Sequence, residues 1–174
     1  MPRSSILALT LLALIATACD RAKPRPDAAA EAPPPAPASA TPPTLSEGLS
    51  KLPNFPGFYL DHTGRALDPI NKQPAVTPAN EPLLLDGFGY DPVAKAPAKG
   101  VDVVVDGKAY GTTYGSPRQD VATFNKIPAL VNVGYRVVLP AGTVAPGPHQ
   151  AVVRVVSADG TGYYESPPIK FEVR

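Results

Sequence analysis

The last six residues, Ile169-Lys170-Phe171-Glu172-Val173-Arg174, alternate apolar with charged side chains without a break. A strand turns successive side chains to opposite faces, so this run buries Ile169, Phe171 and Val173 and leaves three charges in water. The same period of two recurs upstream. Val101, Val103 and Val105 alternate with Asp102, Val104 and Asp106, and Asp106-Gly107 supplies a turn. Val133, Tyr135, Val137 and Leu139 alternate with Gly134 and Arg136. Residues 149–157 read as a longer strand closed by Asp159-Gly160, with Gly162-Tyr163-Tyr164-Glu165 beginning the return. Pro167-Pro168 then break the ladder, since proline has no N–H to give it. Pro82 to Tyr90 reads as a further strand, and Phe58 to Asp61 with Ala66-Leu67 as a lead-in pair about His62-Thr63-Gly64. No apolar repeat of 3.6 residues is sustained over residues 50–174, so the expectation is an all-β antiparallel sandwich of about seven strands. One exception is Asp120 to Phe124, which reads as a single helical turn with Asp120 as its N-cap. These 125 residues suit one domain, and Val103, Val137, Val153 or Val155, and Phe171 are expected to share its core.

Ahead of that domain the chain changes character. Arg3 gives a positive start, Ile6 to Ala18 is an apolar run of 13 residues, and Ala16-Thr17-Ala18 precede Cys19, the only cysteine. This order is that of a secretory signal. The run is too short for a transmembrane helix, which needs about 20 residues. A cysteine at the first mature position resembles the lipobox of bacterial lipoproteins, where the thiol is acylated (palmitate or a similar chain) and the signal, residues 1–18, is removed. Position 16 is Ala, where such proteins most often carry Leu. The resemblance implies a lipid anchor at Cys19 and a place in the bacterial envelope. Asp20 resembles the signal that retains lipoproteins at the inner membrane, facing the periplasm; the outer membrane stays open, because the rule varies between lineages.

Residues 24–46 hold 8 Pro and 7 Ala among 23 residues, with Leu45 the one large apolar side chain. Such composition cannot bury enough surface to offset its ordering entropy, so residues 19–49 are expected to be a disordered tether and residues 50–174 the folded domain. A Pro34–Pro37 recognition motif is the alternative. Without residues 1–18 the chain loses only Arg3, leaving 15 of 16 basic residues against 15 acidic ones. A neutral chain lacks the positive field that nucleic acid or anionic lipid requires. One cysteine allows no internal disulfide and no cysteine zinc site.

Several longer matches carry a resemblance. They are Leu85-Asp86-Gly87-Phe88-Gly89-Tyr90-Asp91-Pro92, Val103 to Lys108, Tyr114-Gly115-x-Pro117-Arg118-x-Asp120-Val121, Asn132-x-Gly134-Tyr135, and Gly147-x-His149 followed by Val152 to Val156. Together they resemble a bacterial immunoglobulin-like module found in envelope lipoproteins and appended to large membrane proteins. The resemblance spans about residues 56–173 and implies that fold. It implies no chemistry, since the family has none in general. Phe88 stands where many members have Trp, which implies slightly different packing there.

A search for chemistry finds little. Nucleophilic catalysis needs a nucleophile, a base and an orienting acid in mutual reach. His62 falls in a turn and His149 opens a strand, where a bond to a neighbouring loop is the expectation. Gly115-Ser116-Pro117 lacks the surroundings of a nucleophile elbow. Asp102 and Asp106 lie about 13 Å apart along one strand face, too far for paired-carboxylate hydrolysis and read as solvated edge charges. Asp86 with Asp91, or Asp61 with Asp68, lack the loop pattern of a calcium site. No metal or other cofactor is expected.

Two readings of Tyr114 to Asp120 remain open: a structural loop in which Arg118 pairs with Asp120, and a recognition loop built on Tyr114, Arg118 and Asp120. The seven tyrosines likewise read as core and rim packing, or as contact area for a protein or sugar. The functional expectation is a non-catalytic, lipid-anchored envelope module for protein interaction or structural support, with no nucleic-acid partner. A carbohydrate-binding module for envelope glycan is the alternative, requiring a groove of exposed aromatics, and a small hydrolase is a third.

Overall fold

The computed structural model describes residues 41–174. The expected signal, Cys19, Asp20, the Pro34–Pro37 motif and the tether up to residue 40 lie outside the described residues. In chain order the strands are β1 (Ser50–Lys51), β2 (Gly57–Thr63), β3 (Ala66–Leu67), β4 (Ala75–Thr77), β5 (Leu83–Asp91) and β6 (Ala96–Pro97). They continue as β7 (Gly100–Val105), β8 (Lys108–Gly111) and β9 (Thr113–Ser116), then helix α1 (Gln119–Asn125) and a 3₁₀ turn, Pro128–Asn132. The chain closes with β10 (Gly134–Leu139), β11 (Gly147–Val156), β12 (Gly162–Glu165) and β13 (Ile169–Val173).

These strands form two sheets that face each other as an all-β sandwich. The front sheet runs β3-β2-β5-β10-β9, with β6 beside the end of β5. In the back sheet β11 is central, with β7 and then β8 on one side. Its other side is met by one interrupted row: Arg154 faces Glu165 of β12, and Ala151 faces Ile169 of β13. Four steps on one strand match three on the other, so Ser166-Pro167-Pro168 form the expected break as a bulge. Ser166 holds the bulge to β11: its hydroxyl accepts the Val153 N–H at 2.9 Å and its own N–H donates to the Val153 carbonyl at 3.0 Å. Short parallel strands, β1 beside β12 and β4 beside β13, complete the outer edge. There are more pieces than the expected seven because bulges and two-residue strands divide the rows.

The period of two decides what is buried. Leu60, Leu85, Val137 and Leu139 of the front sheet meet Val103, Val153, Val155 and Phe171 of the back sheet in one apolar core, and Phe171 is 1% exposed. β7 departs from alternation, because all six of its residues are buried. Asp102 is 0% exposed, not a solvated edge charge. Its carboxylate accepts the N–H groups of Leu45 at 2.9 Å and Ser46 at 2.7 Å. Residues 45 and 46, assigned to the tether on composition, are therefore held against β7 by a partner more than fifty positions away. The carbonyls of Pro42 and Pro43 lie against Gly111, where any Cβ would collide with them.

Helix α1 also differs in its start. Arg118, with φ −141°, takes the N-cap position, and Asp120 sits within the first turn. The Asp120 carboxylate is occupied by the Arg118 guanidinium, so it pairs across the helix start instead of capping it. Val121 and Ala122 join Leu130 and Val133 in a second small apolar cluster, packed against Phe88, Tyr90 and Tyr114 on the front sheet.

Candidate functional site

The outer face of the front sheet gathers most of the polar side chains singled out by sequence. On β5, Leu83, Leu85, Gly87 and Gly89 point inward, leaving Asp86, Phe88 and Tyr90 on the outer face. β2 supplies Tyr59, Asp61 and His62 beside them. In an unbroken strand Asp61 and His62 would face opposite ways. The register shifts between Leu60, which pairs with Gly87, and His62, which pairs with Asp86, so Asp61 is the extra residue of a bulge. Such a bulge re-aims a side chain, and here it sets Asp61 and His62 on the same face.

Three rings form a row across this face. Tyr59 and Phe88 stack with centroids 6.3 Å apart, and Phe88 and Tyr90 at 6.4 Å. The Arg118 guanidinium lies 5.1 Å from the Phe88 centroid. Its Nη1 donates to Asp61 at 2.6 Å, while Nε and Nη2 grip the two oxygens of Asp120 at 3.0 and 2.7 Å. The Asp120 bond above all, opposed by burial and aided by Asp61, raises the Arg118 pKa. The same bond holds the Asp120 carboxyl below its ordinary range. Beside this network, His62 Nδ1 meets Asp86 at 2.6 Å. A groove of about 570 Å³ runs along these groups, lined by Asp61, Asp86, Ser116, Arg118 and Arg136, and bordered by Thr41. Beneath it the buried Tyr135 hydroxyl donates to the Tyr59 carbonyl at 3.0 Å, and burial pushes its ionisation well up.

Tyr114 occupies a different environment from the one a recognition loop requires. Its ring packs against both apolar clusters. Its hydroxyl donates to the Gly89 carbonyl at 2.8 Å and accepts the Ala98 N–H at 3.0 Å, and burial drives its pKa up to about 12. Tyr114 is a strut between β9 and the end of β5. Arg118 and Asp120 do come together, with Arg118 facing the groove and Asp120 at its exposed rim.

The remaining carboxylates separate. Asp68 accepts from the Tyr59 hydroxyl and from Asn71. Asp91 is buried at the far end of β5, holding the N–H groups of Val93, Ala94 and Ala158 and the Tyr164 hydroxyl. Among the described residues no three His, Cys, Asp or Glu side chains gather as a metal site. His149 bonds the Ala145 carbonyl at 2.7 Å and Asp106 at 2.5 Å, in the loop role expected of it. None of the seven tyrosines lies exposed. In chemical terms the groove offers hydrogen bonds and a fixed charge pattern; Asp61 and Asp86 each already face a cationic or imidazole partner of the same chain. The His62–Asp86 pair had no signal in sequence, because it depends on the bulge. Comparison with protein families, curated proteins and solved structures finds no match to this chain.

Proposed function

We propose that this chain is a non-catalytic, lipid-anchored module of the bacterial envelope that binds a protein partner through the groove on its front sheet. The observation that carries this reading is the pre-paired state of the groove. Arg118 holds Asp61, and His62 holds Asp86, at 2.6 Å each. Groups fixed this way are already ordered before a partner arrives, which lowers the entropy cost of binding. Among the described groove residues Arg136 is exposed and joins no ion pair, so it is the group with most to gain from an acidic residue on a partner. The glycan alternative needed exposed rings for stacking, and the Tyr59-Phe88-Tyr90 row is partly covered by Arg118 and α1.

Two measurements test the proposal. Cys19→Ser should abolish fatty-acid labelling and release the protein from the membrane fraction; retention of that variant in membranes would sink the anchor. Crosslinking and recovery from membranes should then give a protein captured by the unchanged chain and lost with Arg136→Glu, while circular dichroism stays the same. Equal recovery with both chains would remove the groove as the contact.

A further inference from the structure

A neutral total charge conceals an uneven surface. Phe124 is 86% exposed, Phe55 70% and Val93 63%. Single exposed apolar side chains are ordinary, but these three are brought to one end of the sandwich around Tyr90. Phe55 lies two residues before Gly57, which pairs with Tyr90 and whose missing side chain leaves room for the Tyr90 ring. Val93 stands at the tip of the β5–β6 hairpin, three residues beyond Tyr90. Phe124 precedes Asn125, whose side-chain oxygen accepts the Tyr90 hydroxyl at 3.1 Å.

Lysines surround the same end. Lys95 shares the hairpin with Val93; Lys99 follows β6 and bonds its N–H to the Val156 carbonyl; Lys126 ends α1 directly after Asn125. All three are exposed, and none forms an ion pair among the described residues. The carboxylates at this end are hydrogen-bonded within the chain, which fixes them in place without removing their charge. Asp91 is buried among backbone N–H groups, Asp159 takes Ser157 and Thr161, and Glu165 takes Lys51 and Arg154. Glu47 is exposed on the segment whose Leu45 side chain lies against Gly100, next to Lys99, so Glu47 and Asp159 are the two exposed carboxylates set against the three lysines.

We propose that this end docks on an anionic lipid surface, with Phe55, Val93 and Phe124 entering the interface and Lys95, Lys99 and Lys126 among the headgroups. Charge complementarity selects this occupant. Apolar side chains set in a basic rim match the boundary between acyl chains and anionic headgroups. The length of chain ahead of the described residues permits it. Twenty-two positions separate Cys19 from Thr41, a covalent reach of at most about 75 Å. That second argument rests on the anchored reading above; the charge pattern does not. Total composition argued against anionic lipid because a sum over the chain cannot register where the lysines sit.

The absence of tryptophan from the chain provides the test. Phe124→Trp and Phe55→Trp are made separately in the chain from residue 19 carrying Cys19→Ser, and titrated with phosphatidylglycerol–phosphatidylethanolamine vesicles. Emission should move to shorter wavelength, with no change on phosphatidylcholine vesicles. Leu67→Trp, exposed at the opposite end of β2, should not respond. Changing Lys95, Lys99 and Lys126 to Gln should weaken vesicle binding on the order of 100-fold. Flat titrations at both phenylalanine positions, as a protein partner at this end would give, overturn the proposal. So does an equal response at Leu67→Trp, or vesicle binding unchanged by the lysine substitutions. Because the chain tested carries no lipid, failure here leaves the Cys19 labelling result standing by itself.

Discussion

Arg118 joins three parts of the molecule that no local rule would join: the β2 bulge through Asp61, the start of α1 through Asp120, and the ring of Phe88. Its planar fork makes this possible, because two donors can hold one carboxylate while a third reaches another. Arg118→Ala should therefore cost about 1–3 kcal/mol, read as a lower urea midpoint at unchanged m-value, since the partly buried Asp61 loses its donor and the Phe88 ring loses its guanidinium cover. Arg118→Lys should recover only part of that loss, because an ammonium cannot span Asp61 and Asp120 at once. Equal stability of the Lys variant and the unchanged chain would mean that charge alone, not the fork, sets the loop. The sequence motif placed Arg118 beside Asp120 in the chain and their pairing was readable from that. Asp61 was not readable as a partner, since it depends on the extra residue in β2.

At the scale of elements, residues 41–49 act as a strap over the back sheet, fixed at Asp102 and lying across Gly111. Asp102→Ala should expose the N–H groups of Leu45 and Ser46 and cost about 1–3 kcal/mol. Gly111→Ala tests the strap without touching that carboxylate, because its Cβ displaces the Pro42 and Pro43 carbonyls. Both variants should open a protease site near Leu45 while the rest of the domain resists cleavage. Uniform resistance in both would show that the strap contributes nothing to the fold. Alternation identified β10 and β13, where burial is decided by the strand's own face, while β5 and β11 were readable as apolar runs between turn signals. It misjudged β7, where Asp102 looked solvent-facing: what covers it comes from a Pro/Ala-rich stretch with no apolar pattern to reveal a docking site. The α1 cap failed for a related reason. Asp is a good N-cap in isolation, but here the better partner for its carboxylate is a guanidinium two residues away.

For the molecule as a whole, the two sheets are joined at the β5 end by a single buried carboxylate. Burial pushes the Asp91 carboxyl up, but the N–H groups of Ala158, Ala94 and Val93 and the Tyr164 hydroxyl outweigh it, and its pKa lies below the ordinary value. A carboxyl with a depressed folded pKa adds stability above its unfolded pKa of about 3.9, and that stability fades as pH falls through the folded value. The melting temperature should thus drop on acidification below about pH 4. In Asp91→Asn that contribution should already be missing at neutral pH, and the acid-dependent drop should be smaller. Parallel acid profiles for both chains would assign the pH dependence elsewhere. The general architecture was legible because a sandwich is specified by many repeated local alternations. The joining groups were not, since each is one residue whose partners lie on another sheet.

The strap also determines how the domain answers to mechanical load. A pull transmitted along the chain into residue 41 does not reach β1 first, although β1 is the nearest strand in sequence and only two residues long. It meets the Asp102 carboxylate, set in β7, a strand bonded to β8 on one side and β11 on the other. Tension is delivered to the interior of the back sheet, and the weakest edge is loaded only after both bonds to Asp102 have given way. The attachment works as a strain relief: the joint most easily unzipped stands behind one built into an interior strand.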